Sequence, residues 1–526
     1  MKRALSSLLL AAALFWFQGQ ASATGFTDIG QDIEARSETE FSIQGALRFR
    51  GSLLNNLDLD RGLTPSGAPF YYVPLDDPTA QTLTHADMRL RSDMAVYVPA
   101  AALSVKLRLD LLDNLALGSA PDGPPAGALG QEPPAVAFRI KRAYGEVLLP
   151  FGLLAAGRMG SHWGLGMLTN GGDCADCDSG DAADRIALMT PLAGHIWALA
   201  YDFSAIGPTG ALADGSRVVD LDPADDVRTL TFAMLNFKTD LTRQRRAAAD
   251  RATVEYGAYV SYRWQDKDVP ASYLDLALPV DIDSAQVMAR GLNALAGDAW
   301  FRLTLPSFRL EAEAAVLWSH IEQASLLPGA LLQDPVESLQ WGFAIESEYG
   351  SADSAFGFGL DLGLASGDSA PGFGATPRLN EAAGLPGDLH GAQARPPYDN
   401  RIDNFRFHPD YRIDRILFRE LVGTVTDCFY IRPHVRYRLL ELGGRGHLTV
   451  GLFAVASFAL ESASAPGGEH PLGIELDPTL AYVDRLGFSV VAEYAILLPL
   501  AGLDNSIQNI SAKPAQLARL RLTYGF

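Results

Sequence analysis

Past residue 23 the chain has no apolar run of the roughly 18 residues that a membrane-crossing helix needs, which excludes a helical membrane protein. It is poor in cysteine, with only Cys174, Cys177 and Cys428 in 526 residues, too few to staple the fold. It is also poor in positive charge. Lys and Arg number 42 against 62 Asp and Glu, a formal net charge of −20, which disfavours nucleic acid as a partner. No G-x-S-x-G nucleophile motif occurs. Ser161 adjoins His162, but neighbours on one strand point to opposite faces, and His434 has no serine partner in sequence. An enzyme is not expected.

What is present begins with an export signal. Lys2 and Arg3 precede an apolar stretch from Leu8 to Phe17, and Ala21-Ser22-Ala23 forms a small-x-small cleavage site. Residues 1–23 therefore read as a signal peptide, with Thr24 as the mature start and 24–40 as a short periplasmic segment. That segment leaves no room for the plug domain of a TonB-dependent transporter.

The other end is more informative. Ala518, Leu520, Leu522, Tyr524 and Phe526 alternate with Arg519, Arg521 and Thr523, so a strand here has one face for lipid and one for water. An exported chain that enters lipid without helices must satisfy its backbone in a closed barrel. The same alternation recurs through 41–526, as in Val254 to Trp264, Phe308 to Trp318, Phe356 to Leu364 and Phe429 to Leu439. Short links follow the even strands and long Gly/Pro/Asp-rich links the odd ones, with one longer, arginine-rich even link near 239–252. Both termini of such a barrel lie in the periplasm, so the strand count is even. Reading 410–422 as a loop helix, with Asp410 as N-cap and Gly423 at its end, leaves 18 strands within a range of 16–20. The predicted fold is all-β, a transmembrane antiparallel up-and-down barrel with long outer loops, and the loop helix is expected to constrict the lumen.

If apolar faces meet lipid, the opposite faces line the interior. Strands 1, 2, 3 and 18 then point Arg48, Arg50, Arg89, Arg91, Lys106, Arg108, Arg519 and Arg521 inward as one basic wall. Strand 14 adds Arg432, His434, Arg436 and Arg438. Acidic groups fall on strands 11–13, as Glu311, Glu313, Glu346, Glu348 and Asp361. Opposed rows of this kind create a transverse field, and basic linings select anions. The competing expectation is that the arginines pair with carboxylates in a filled interior. Strand 4 is ambiguous: either Arg139 and Lys141, or Arg142 and Glu146, face in.

Between strands 5 and 6, Asn170-Gly171-Gly172-Asp173-Cys174-Ala175-Asp176-Cys177-Asp178-Ser179-Gly180-Asp181 is dense in turn formers. The C-x-x-C pair of an exported protein suits a small Cys174–Cys177 disulfide. Calcium is the alternative for loop 173–184, through the hard oxygens of Asp173, Asp176, Asp178 and Asp181, although the EF-hand spacing is absent. No other cofactor is expected. Cys428 reads as an unpaired thiol, with pairing to a loop cysteine left open.

His162-Trp163-Gly164-Leu165-Gly166 through Asn170-Gly171-Gly172-Asp173, with Gly180-Asp181 and Asp184-Arg185, resembles an uncharacterised family of predicted Gram-negative outer-membrane β-barrel proteins. So does Phe407-His408-Pro409-Asp410-Tyr411-Arg412-Ile413-Asp414 through Leu417-Phe418-Arg419-Glu420. The resemblance covers most of the mature chain and implies a fold and a compartment, the cell outer membrane, but no activity. A looser likeness, in size, strand number and arginine content alone, is to the alginate-export porins. The functional expectation is a porin-like channel passing anionic solutes, with acidic oligo- or polysaccharide among them. A closed structural or surface-binding barrel with acidic loops is the alternative. Expected partners are membrane lipid and lipopolysaccharide, the outer-membrane assembly machinery through the strand ending in Phe526, and the solute.

Overall fold

A backbone in hydrocarbon must pair every amide within the protein, and here one ring of 18 antiparallel strands does so. The computed structural model describes residues 38–74, 76–77, 79–118, 138–207, 222–269, 287–325, 331–350, 354–373, 384–390, 394 and 399–526. The signal peptide at 1–23 and the 24–37 part of the periplasmic segment lie outside the described residues.

The first six strands are β1 (Glu40–Asn55), β2 (Thr82–Val98), β3 (Leu103–Ala116), β4 (Phe138–Leu149), β5 (Gly152–Gly160) and β6 (Ala182–Leu192). Then follow β7 (His195–Ala205), β8 (Val227–Asn236), β9 (Thr253–Asp268), β10 (Met288–Thr304), β11 (Phe308–Ile321) and β12 (Val336–Tyr349). The last six are β13 (Phe356–Ala365), β14 (Cys428–Leu442), β15 (Gly446–Ala459), β16 (Pro471–Asp484), β17 (Phe488–Pro499) and β18 (Ala515–Gly525). Each strand pairs with its neighbours in sequence, and β18 closes on β1. Short turns and long links alternate as the sequence pattern predicts. The arginine-rich even link carries a helix, α1 (Asp240–Ala248), capped by the Thr239 hydroxyl, which accepts from the Thr242 amide.

The outward face is apolar and exposed, as in Phe41, Ile43, Leu47 and Leu53 on β1 and Leu520 and Tyr524 on β18. Aromatics gather at both rims. Tyr262 and Trp264 stack at 5.5 Å near the outer rim. Tyr349–Phe358 and Phe488–Tyr524, at 5.3 and 5.0 Å, mark the periplasmic one. These are the interfacial girdles of a transmembrane barrel.

At the seam, Arg50 lies opposite Arg521 and Ala46 opposite Gly525. Gly45 and Phe526 exchange both backbone hydrogen bonds, each at 3.0 Å. A carbon added at Gly45 would stand 2.3 Å from the Arg91 carbonyl oxygen of β2 and 2.6 Å from the Phe526 ring, so glycine alone lets β1 fit between β2 and the terminal aromatic. Gly45→Val should open this seam. The expected result is loss of the compact, heat-modifiable band in SDS gels, while Gly51→Val, whose added carbon meets nothing closer than 3.7 Å, should keep it.

Candidate functional site

An 18-stranded ring is wider than its own wall side chains can fill, and two long links fold into this one. Residues 161–181 enter between β5 and β6, and the described residues 399–427 between β13 and β14. They meet in the lumen: the His408 amide donates to the Met167 carbonyl at 2.7 Å, and the Asp178 and Ser179 amides donate to Asp410 at 2.8 and 2.9 Å. The two motif segments of the sequence are therefore these two lumen inserts, in contact with each other.

Entering backbone brings amides that need acceptors, and the wall supplies them. Glu475 of β16 accepts from the amides of Arg415, Ile416 and Leu417 at 2.8, 2.8 and 3.1 Å. Glu313 of β11 accepts from Leu165, and from Met167 and Leu168 at 3.4 and 3.3 Å. Asp414 adds the Phe418 and Arg419 amides. This corrects the predicted helix over 410–422. Only Leu417–Val422 forms a turn, of π type, ending at Gly423 with φ 88°. The amides that a longer helix would pair with its own carbonyls are taken by side chains, and Asp410 holds the other insert instead of capping.

Apolar packing completes the filling. Phe405, Phe407, Ile413, Ile416, Leu417 and Phe418 join Leu54, Leu497 and Leu517 of the wall in one buried cluster. Trp163 lies edge-on to Tyr259 at 5.0 Å among Ala155, Ala187, Ala200 and Ala233 in a second. A carbon added at Gly257 would sit 2.9 Å from the Trp163 ring, so small wall residues admit the large insert residue. On these strands both faces are apolar, which the rule of lipid outside and water inside does not anticipate.

Arg48, Arg50, Arg89, Arg91 and Arg519 are buried, and the cysteine loop lies against them. Cys174 and Cys177 are disulfide-bonded, and Cys428 is free and buried. Arg48 and Arg50 share Asp87 of β2 at 3.1 and 2.9 Å, and both reach Asp178 at 2.9 and 3.0 Å. Asp176 takes Arg50 at 3.1 Å, Arg521 at 2.9 Å, Arg419 at 2.6 Å and Arg412 at 3.3 Å. Arg412 also reaches Asp178 at 2.6 Å and Asp410 at 3.2 Å. Arg89 and Arg48 donate to the Cys177 carbonyl at 2.6 and 3.1 Å. Arg519 pairs with Glu420 at 2.6 Å. Further round, Arg91 pairs with Asp110, Lys106 with Glu146, Arg108 with Asp93 and Asp173, and Arg142 with Asp173. A bulge leaves Lys141 outside the β3–β4 register, so Lys141 and Arg142 both reach the cysteine loop, which resolves the ambiguity of strand 4.

Of the four aspartates offered as calcium ligands, Asp173, Asp176 and Asp178 are thus paired with guanidiniums. Asp181 accepts from the Asn170 amide and lies 3.5 Å from His408. Among the described residues no three His, Cys, Asp or Glu side chains gather in a way that could hold a metal ion.

Strand 14 differs from expectation in a second way. Asp361 is the register partner of Arg432, to which it binds at 2.8 Å, and it lies 3.4 Å from His434. Arg436 pairs with Glu348 at 2.8 Å, and Arg438 with Glu441 at the periplasmic end at 3.2 Å. The basic row of β14 thus lies beside the acidic row of β12–β13 and pairs with it directly.

Sequence reasoning named Arg412, Arg419 and Trp163 only as parts of motif segments, without a role, and did not single out Glu475; they lie in links or on faces without a telling period. It also missed Arg61, which donates to the Asp504 carbonyl at 2.8 Å and lies 4.4 Å over the Phe70 ring, tying outer loops together.

Inside and out, this is a closed 18-stranded barrel with an apolar outer belt, whose lumen is occupied by its own links. No family model matches the chain. No curated protein matches it either. Solved structures similar to it include OccK9 (OpdG) of Pseudomonas aeruginosa, at 13% identity and TM-score 0.45 over 93% of this chain and 98% of that one. Others are OpdK of Pseudomonas aeruginosa (10%, 0.43, 92% and 98%) and the outer membrane channel DcaP of Acinetobacter baumannii (10%, 0.38, 94% and 99%). At these values no residue role passes from them to this chain.

Two outcomes follow. Glu475→Ala strands three buried amides and should cost about 2–4 kcal/mol, read from the urea midpoint of the detergent-solubilised protein. The second concerns pH. Burial alone would raise the Asp176 and Asp178 carboxyls, but the surrounding guanidiniums, chiefly Arg419, Arg521 and Arg412 for Asp176 and Arg412 and Arg50 for Asp178, hold both well below the usual carboxylate range. Their folded-state values are depressed, so their stabilisation is complete above about pH 4 and fades as pH falls below it. Protease cleavage within 172–179 should rise between pH 4 and pH 2 and stay flat from pH 5 to 8.

Proposed function

We propose that the protein is an outer-membrane channel, narrowed by its two lumen inserts, that conducts small anionic solutes along the guanidinium wall of β1, β2 and β18. The observation that carries this reading is the local balance of charge. Ten guanidiniums (Arg48, Arg50, Arg89, Arg91, Arg108, Arg142, Arg412, Arg419, Arg519 and Arg521) stand with eight carboxylates (Asp87, Asp93, Asp110, Asp173, Asp176, Asp178, Asp410 and Glu420), in a chain of formal charge −20. A cationic excess inside low-dielectric walls attracts and focuses anions. The clusters that fill the lumen favour small solutes over an acidic polysaccharide. In this reading the apolar belt contacts lipid and lipopolysaccharide, and the Phe526 strand is what the assembly machinery receives.

A second reading, a closed barrel that displays its outer loops, is favoured by the pairing of most lumen arginines. Bilayer recording separates the two. Under a tenfold potassium chloride gradient the wild type should reverse toward the chloride potential, and Arg519→Gln with Arg521→Gln should bring reversal closer to zero. No conductance at all, with no entry of a small sugar into proteoliposomes, would establish the closed barrel.

A further inference from the structure

We infer that the disulfide-closed turn at 174–178 is a tethered stand-in for a free ligand, and that the cradle around it is a binding site for a compact dianion. This rests on the lumen wall described above and deepens the channel reading.

Two parts of the basic wall are built differently. On β2–β4 the cations find carboxylates within the wall itself: Arg91 with Asp110, Arg108 with Asp93, Lys106 with Glu146. The loop adds to them, through Asp173 to Arg108 and Arg142 and through the Gly172 carbonyl to Arg91, but Arg91, Arg108 and Lys106 each keep a wall carboxylate without it. The cradle formed by Arg48, Arg50, Arg89, Arg412, Arg419 and Arg521 has few carboxylates of its own. Asp87 serves Arg48 and Arg50, Asp410 serves Arg412, and Glu420 lies 3.9 Å from Arg419 but is bound at 2.6 Å by Arg519. The remaining demand is met by three consecutive residues of the turn. Asp176 and Asp178 present two carboxylates, and the Cys177 carbonyl between them takes Arg48 and Arg89. Arg89 is 4% exposed, and among the described residues no carboxylate lies within ion-pair distance of it.

A wall that only had to be neutral would carry its own carboxylates, as it does for Arg91, Lys106 and Arg108. This part concentrates five guanidiniums on two carboxylates, with Arg89 on the carbonyl between them, and it receives all three groups from a short loop whose Asp178 and Ser179 amides are bound by Asp410. Buried cations without partners are costly, so the cradle must be occupied at all times. Anything that enters has to offer the same two charges. A monoanion satisfies half the demand and cannot displace the turn. The turn acts as an intramolecular competitor at an effective concentration in the millimolar range or above, so the apparent affinity for a free dianion is reduced by the fraction of time the cradle is free.

Succinate, with acetate as the monoanion control, is the probe, and titration calorimetry on the full-length detergent-solubilised protein is the readout. Asp176→Asn with Asp178→Asn should bind succinate at least tenfold more tightly than wild type and leave acetate binding weak. Arg412→Gln with Arg419→Gln should abolish succinate binding. If the double aspartate variant does not assemble, Asp178→Asn alone should shift affinity in the same direction. A heat-modifiable aspartate variant that binds succinate no more tightly than wild type, or binds acetate equally well, overturns the site. Conductance separates this from the channel reading. The predicted succinate pattern in a protein that forms no channels keeps the site and removes the channel, whereas anion-selective channels with unchanged succinate binding do the reverse.

Discussion

Backbone amides away from water must find acceptors inside the protein, and this requirement shapes the molecule twice. In the wall it is met by the ladder of 18 strands, closed where Gly45 and Phe526 exchange hydrogen bonds. Inside, the ring is wide enough to admit chain, and admitted chain carries unpaired amides. Glu313 and Glu475 answer them, each with one carboxylate against three amides. Because those amides are held from the wall, the insert at 410–416 has no need to be helical.

Charge follows from the same geometry. Arginines facing a filled lumen cannot rely on bulk water, so each requires a partner. Around β2–β4 and β11–β14 most cations have a carboxylate within the wall, with Asp173 of the loop added at Arg108 and Arg142. At β1 and β18 the partners come from Asp176 and Asp178, which belong to a loop. Wall and insert are therefore interdependent there: removing the turn leaves clustered cations, and removing the cations leaves a buried acidic turn.

Much of this was legible beforehand. Strand alternation, the two classes of link, the even count and the inward direction of Arg48, Arg50, Arg519 and Arg521 all depend on neighbours in sequence and on the two-residue period. The Cys174–Cys177 pair was legible through its spacing. The helix over 410–422 was misread because Ile413, Ile416, Leu417 and Leu421 recur at helical spacing for another reason: they pack from a winding insert into a core gathered from many links. The pairing of the β14 arginines with β12 and β13 was not legible, because period reports which face a residue takes and not which carboxylate lies beside it.

Local pattern thus determined the wall, since a strand's faces are decided by residues two apart and its place in the ring by the order of hairpins. What fills the ring was decided only by tertiary structure. Asp176 meets Arg50 across 126 positions and Arg419 across 243, and no periodicity links residues so far apart. Two loops became lumen inserts because glycine and alanine in the wall leave space, wall glutamates accept their amides, and guanidiniums across the barrel need their carboxylates.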